Sequence, residues 1–334
     1  MFRIDNTTAA PSIPTPAQPG SPGFFTNGNP ALGAPATIVD ADWMNALQEE
    51  LAYVIEQSGL VLNKLDRTQL FQALGRLTRV RLQADTTFYL APSPTGNDNN
   101  NGLSPETPWA DATYAYNWIR DRIDPNGHTC WIQPAPGTYP GAFFSGQITA
   151  GPVVLIGNES DPSQIVFYNP NGHAIECNSA AVTVRGVTVS TGGAATSTGL
   201  YALQASQLQF NNIYFDTCAG QHLATDVAAM LAGSLGNSTT YSIVGSAPRH
   251  VTAIHAGFSQ ILAQITIEGV PTFSDAFVQV RAGQIDFGGV AFNGTAHGKH
   301  FDLGAGGIIT GTGGNPNFFP GDAAGINDGT GIYV

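Results

Sequence analysis

The sequence predicts an all-β fold, a right-handed parallel β-helix in which the chain winds as a solenoid behind a small helical region. Three observations predict it. First, an irregular apolar pattern with intervals of two, five, two, three and two residues runs through Ile175, Cys177, Val182, Val184, Val187 and Val189. It recurs as Tyr201, Leu203, Leu208, Phe210, Ile213 and Phe215, and as Val278, Val280, Ile285, Phe287, Val290 and Phe292. Its first half returns at Phe301, Leu303, Ile308 and Thr310, and a shorter copy runs through Ile254, Ala256, Leu262, Ile265 and Ile267. Second, each step of two is that of a strand, whose alternate side chains share a face, while the gaps of five and three are corners that reset the facing. Third, copies begin 26, 53, 24 and 23 residues apart by subtraction, a period that marks a solenoid. The interval of 53 holds either one degenerate turn or an insertion. A β-sandwich also alternates, but has no reason to repeat one corner geometry.

Four regions follow along the chain. Residues 1–38 are rich in Pro, Gly and small side chains and read as an extended arm, with Phe24 and Phe25 as anchors for a partner. Residues 39–84 are helical. Asp40 or Asp42 caps a first helix whose Trp43, Leu47, Leu51, Val54 and Ile55 recur at helical spacing, and Gly59 ends it. Asp66 with Gln69 has the form of a capping box for a second helix over 67–80. Two such helices are too small for a core and need something to pack on. Residues 85–314 form the β-helix. A helix over Trp109–Ile123 would plug its open end, since a bare first coil exposes unpaired edge groups. Residues 219–249 break the pattern, with DVAAMLAGSL a short helix on an excursion. Residues 315–334 form a cap or tail.

Only 11% of residues are charged, and Thr, Asn and Gln suit the like-on-like outer columns of stacked coils, where identical charges would repel. The net charge of −12, with Lys64 and Lys299 the lysines and the arginines scattered, excludes nucleic-acid binding as an expectation. No stretch of about 18 apolar residues is present to cross a bilayer, and the start lacks a secretory core. Cys130, Cys177 and Cys218 form no disulfide framework, and Cys177 reads as a small core residue. No cofactor is expected.

Several segments carry a resemblance. TIVDADWMNALQEELAYVIEQSGL (37–60) resembles a helical element near the start of many prophage tail-fibre proteins. FYLAPSPTGNDNNNGLSPETPWADATYAYNWI, WIQPAPGTYPG and VVLIGN resemble the entry into the pectin-lyase-like β-helix of phage tail spikes, and FFPGDAAGINDGTGIYV resembles their tails. The resemblance implies a virion component, commonly homotrimeric, held on the tail, baseplate or collar through its N-terminal part and offering the β-helix to host-surface polysaccharide. Trp43, Leu47, Leu51 and Ile55 would then serve attachment to the virion. With seven to nine coils, ~35–45 Å at the parallel-strand spacing, the solenoid is short for a cleaving spike. A structural, non-cleaving role is therefore expected. A polysaccharide hydrolase or lyase, and an internal baseplate or collar component without a receptor, are the alternatives.

Hydrolysis would need paired carboxyls. Aligning the coils puts Glu176, Ala202, His255, Gln279 and Asp302 in the first outward column, with His255 and Asp302 two coils apart at ~10 Å. The second column holds Thr183, Gln209 and Asp286, and the third Thr188, Tyr214, Thr266 and Ala291. Glu176, His255 and Asp302 are the catalytic candidates, none of them with a neighbouring acid to form a pair, and Gln209, Tyr214 and Gln279 the candidate sugar contacts. His297, Lys299 and His300 share a corner loop without a ligand set, and the Asp98 loop lacks the Glu that a calcium loop would carry, Trp109 standing at its twelfth position. No metal is expected.

Overall fold

The computed structural model describes residues 2–227, 230–233 and 239–334. The chain divides into two compact units, Met1–Val80 and Arg81–Val334.

The larger unit is a β-solenoid of about 7 turns built from stacked parallel sheets. One sheet runs through Thr86–Leu90, Cys130–Pro134, Val153–Ile156, Ala181–Thr191, Gln207–Phe215, Met230–Gly233, Phe258–Gln260, Gln284–Asp286, Ile308–Thr310 and Ile332–Tyr333. A second runs through Ala142–Ser145, Ile175–Asn178, Thr198–Leu203, Gln221–Asp226, Ala247–Ile254, Thr272–Arg281, Phe301–Gly304 and Ile326–Asn327. Val182, Val184, Val187 and Val189 lie under Leu208, Phe210, Ile213 and Phe215 in register, all buried, as the repeat predicts.

Corner length decides where that prediction slips. After Cys177 a single left-handed residue, Ser179 (φ 52°), turns the chain, and Val182 is the next inward position, five residues on. The next corner carries two left-handed residues, Gln204 and Ala205 (φ 53° and 60°), and spans six. Leu200 and Ala202, rather than Tyr201 and Leu203, therefore stack on Ile175 and Cys177. The same double turn at His255–Ala256 makes Val251 and Ala253 inward instead of Ile254 and Ala256. At Ala305–Gly306 it places Ile309, not Ile308 or Thr310, over Ile285. Non-glycine residues in this region are unfavourable in isolation, and the Ser179 and Ala256 N–H groups donate to the next rung, at the carbonyls of Leu203 and Ala282.

The described residues of 219–249 join the stack of coils rather than leaving it on an excursion. Gln221–Asp226 pairs with Thr198–Leu203 and with Ala247–Ile254. Met230–Gly233 is a strand where the sequence suggests a helix, and Thr239–Ile243 is a further strand of the same coil; Ala228, Ala229, Ser234 and Leu235 of the suggested helix lie outside the described residues. Polar side chains at core positions hide the repeat. Thr225 and Ser259 are buried with their hydroxyls 3.0 Å apart. His222 and His250 are also fully buried, Nδ1 to Nδ1 at 3.1 Å, and His250 Nε2 lies 2.9 Å from the Tyr241 hydroxyl. Two neutral imidazoles satisfy this chain, each supplying one donor and one acceptor. Phe215, Phe273 and Phe277 enclose the rings. Among the described residues, His222 Nε2 has no partner.

Both ends are closed by aromatics. Helix Ala112–Arg122, capped by Asp111, buries Ala115, Tyr116 and Ile119, with the Tyr116 ring 5.0 Å from that of Phe144. It starts three residues later than predicted because Trp109 is taken up in a bridge to Leu90. Asp98 accepts from the backbone N–H groups of Ala110 and Asp111, so the preceding loop buttresses this helix. At the far end Phe319 is buried against Phe277, Phe287 and Phe292.

The smaller unit contains α1 (Ala41–Gln57), with Asp40 accepting from Trp43 N–H, and α2 (Gln69–Leu77). The expected capping box does not form. Asp66 takes the backbone N–H and hydroxyl of Thr68 instead, while Gln69 ties down the preceding loop through Asn63 N–H and the Val61 carbonyl. Ala52, Ile55 and Ala73 are its buried apolar residues, so its core is as thin as the sequence implies.

Burial holds the His222 pKa down to about 3 from 6.5, and pushes that of His250 down in the same direction. Between pH 6.5 and 3 the unfolded chain takes up a proton that folded His222 refuses. Stability is therefore complete above that window and falls by about 1.4 kcal/mol per pH unit per imidazole within it. A melting series from neutral to about pH 5 is expected to show this drop, reduced in His222→Phe, with amide protection lost first in 221–226 and 247–254.

Candidate functional site

Ile175 and Cys177 point inward, so Glu176 between them points out. The strand below, Ala142–Ser145, puts Phe143 in register with Glu176, and the strand above adds Tyr201. The column continues through Ala224, Thr252, Gln279 and Asp302. This replaces the expected column: Ala202 is inward and fully buried, and His255 sits at a corner. Glu176 and Asp302 are consequently five rungs apart, roughly 24 Å, too far to act on one bond. In the third column Asn293, not Ala291, lies in register with Thr266.

Around Glu176 the side chains form a continuous patch. The Tyr201 hydroxyl donates to Asp226 Oδ2 (3.1 Å), and His255 Nδ1 lies 2.7 Å from Asp226 Oδ1. The His173 ring packs on Tyr201 with centroids 4.4 Å apart. His173 Nδ1 accepts from Thr198 N–H (3.1 Å), which leaves the proton of the neutral ring on Nε2, 4.0 Å from Glu176 Oε2. That exceeds a hydrogen bond, and the Glu176 carboxyl accepts none among the described residues. Burial pushes the Glu176 pKa up and that of His173 down. The Tyr201 phenol is pushed up by burial first, then by Asp226 and Glu176. Chemically the patch offers an exposed imidazole anchored by a carboxylate, a phenol, and a second carboxylate lacking a donor.

Of the sequence candidates, the fold gathers Glu176 and His255 here and takes Asp302 elsewhere. Asp302 is occupied by Arg281 (2.7 Å) and Gln279 (3.1 Å), which hold its carboxyl below the usual range against burial. Gln209, Tyr214 and Gln279 lie on three different columns. His297 pairs with Asp322 (2.6 Å), whereas the buried His300 engages the Phe319 carbonyl (2.6 Å). Trp43 and Leu47 are exposed on α1, Leu51 is half-buried and Ile55 is buried. Sequence reasoning missed Tyr201, read as core, and assigned Asp226 to the excursion. The signal that identifies both is the six-residue corner after Ala202.

No family model matches the chain. It is 44% identical over 77 residues to "Uncharacterized protein StfP" of Escherichia coli (strain K12), a stretch covering 23% of this chain and 35% of that protein. The chain thus spans about a third of that relative's length. The structure titled "Crystal structure of escherichia coli ybhc" aligns over 94% of this chain and 89% of that one, with a TM-score of 0.41 and 11% identity, too loose a likeness to carry an argument.

A half-buried carboxylate without donors costs stability when ionised. With its folded pKa raised above the unfolded 4.5, Glu176 stabilises the fold less as pH rises through that range. Glu176→Gln is therefore expected to raise the melting temperature at pH 7 and to change it little near pH 4, as read by circular dichroism. An unchanged melting temperature at pH 7 would show the carboxylate to be solvated.

Proposed function

We propose that this chain is a subunit of a phage tail fibre or short tail spike, held on the virion through its N-terminal unit and presenting the solenoid to host-surface glycan as a homotrimer. The observation that carries the reading is the α1 helix, whose sequence resembles the tail-fibre element and whose Trp43 and Leu47 stand 47% and 43% exposed. Trp43 packs edge-on against Phe25, and with Met44, Phe71 and Leu74 also exposed the unit offers an apolar surface of the kind that a partner covers. The stretch shared with StfP is compatible with a tail fibre. The charge-poor solenoid supports the same reading, because neutral outer columns pack against sister coils without desolvating charge. Phe143, Tyr201, Tyr214, Gln209 and Gln279 supply aromatic faces and amides suited to sugar.

Particles produced with Trp43→Ser/Leu47→Ser are expected to lack the protein, although the purified variant keeps its β-type circular dichroism. Light scattering on the unaltered chain is expected to give three copies. Normal incorporation of the double variant together with a clean monomer would refute the assignment.

A further inference from the structure

We propose that Glu176, with Phe143 below it and Tyr201 above it on the outer column, is a binding site for a primary ammonium group carried on a sugar ring. The inference rests on the glycan-contact reading and names the chemistry of one subsite.

Three features of the patch converge on that ligand. The carboxyl is only 24% exposed and lacks a hydrogen-bond donor among the described residues. Its neighbouring imidazole does not neutralise it, since His173 spends Nδ1 on Thr198 N–H and holds one proton on Nε2, 4.0 Å away. The rungs on either side are aromatic, with Phe143 40% exposed and Tyr201 half-buried. An ammonium seated here would give the carboxylate the donor and the charge it lacks, between two aromatic neighbours whose rings attract cations. The sugar ring carrying it would present C–H groups to the same aromatics. Asp226, held by the Tyr201 hydroxyl and His255, adds negative potential beside the site without competing for Glu176. A neutral hydroxyl in the ammonium's place supplies a donor but no charge, and a carboxylated sugar is repelled.

The test uses the full chain and two probes, the tetramer of β-1,4-linked glucosamine with free amines and its fully N-acetylated counterpart, titrated calorimetrically at about pH 6 and ~0.15 M salt, where long-range attraction to the acidic protein is screened. The amine tetramer is expected to bind at least about tenfold more tightly, the effect of one added charge-assisted contact. Glu176→Gln is expected to erase that preference, and Glu268→Gln, at an exposed acid elsewhere on the solenoid, to leave it intact. Equal binding of both tetramers would overturn the ammonium site while leaving glycan contact standing. Failure of the amine tetramer to bind, a preference surviving in Glu176→Gln, or its loss in Glu268→Gln would each overturn it as well.

Discussion

The outer surface of the solenoid is positioned by rung-to-rung backbone hydrogen bonding, which stacks each coil on the one before it. A coil has no freedom to slide, because its inward residues must land on those of its neighbours: Val184 on Leu155 below and Phe210 above. What varies is the number of residues each corner consumes. One left-handed residue at Ser179 or Ala282 gives a five-residue passage, and a left-handed pair gives six. Since side chains alternate with period two, a single added residue decides which of two neighbours faces solvent. Tyr201 is outward and Ala202 inward for that reason alone.

The same constraint explains the unusual interior. A coil whose strands must match those above and below holds polar residues inside at least cost where they bond to one another, and the stacked geometry places such residues within reach. Thr225 meets Ser259, and His222 meets His250, which meets Tyr241. Aromatic rings around the imidazoles exclude water and keep both neutral. The centre of the solenoid is thereby coupled to protons, while its ends are closed chiefly by aromatic rings, Tyr116 with Phe144 and Phe319 with Phe277.

These features also set what the sequence reveals. The second and third strands of the first two coils were legible because apolar side chains occupy every inward position from Val182 to Val189 and from Leu208 to Phe215. The first strands at Ile175–Cys177, Val278–Val280 and Phe301–Leu303 face as the repeat predicts, but those at Tyr201–Leu203 and Ile254–Ala256 do not, since Gln204, Ala205, His255 and Ala256 adopt left-handed backbone without being glycine or asparagine, the residues that usually announce it. The coil over 221–243 stayed hidden because histidine and threonine stand where the pattern calls for aliphatics. For the candidate site the loss was specific. Glu176 and His255 are visible as outward polar residues, but of the groups joining them the Tyr201 phenol lies on a rung whose facing the corner shifts and the Asp226 carboxylate on the coil that the sequence hides.

Glu176 shows why that join matters. Other outward acids on the solenoid are answered by arginine, Asp302 by Arg281, Glu159 by Arg185 and Asp275 by Arg249, whereas Glu268 stands exposed to solvent and needs no partner. Stability alone would favour a similar partner, or glutamine, at Glu176, where the neighbouring rungs cover the carboxyl and no donor reaches it. A side chain that burdens the fold when ionised, in a column otherwise built of neutral or paired groups, has its physical rationale in something that arrives from solvent. The rung spacing makes such an arrival sterically simple. Aromatic residues one rung below and one rung above frame a carboxylate over roughly 10 Å, the span of one or two sugar rings, so a ligand can lie along the column and touch all three without any coil moving.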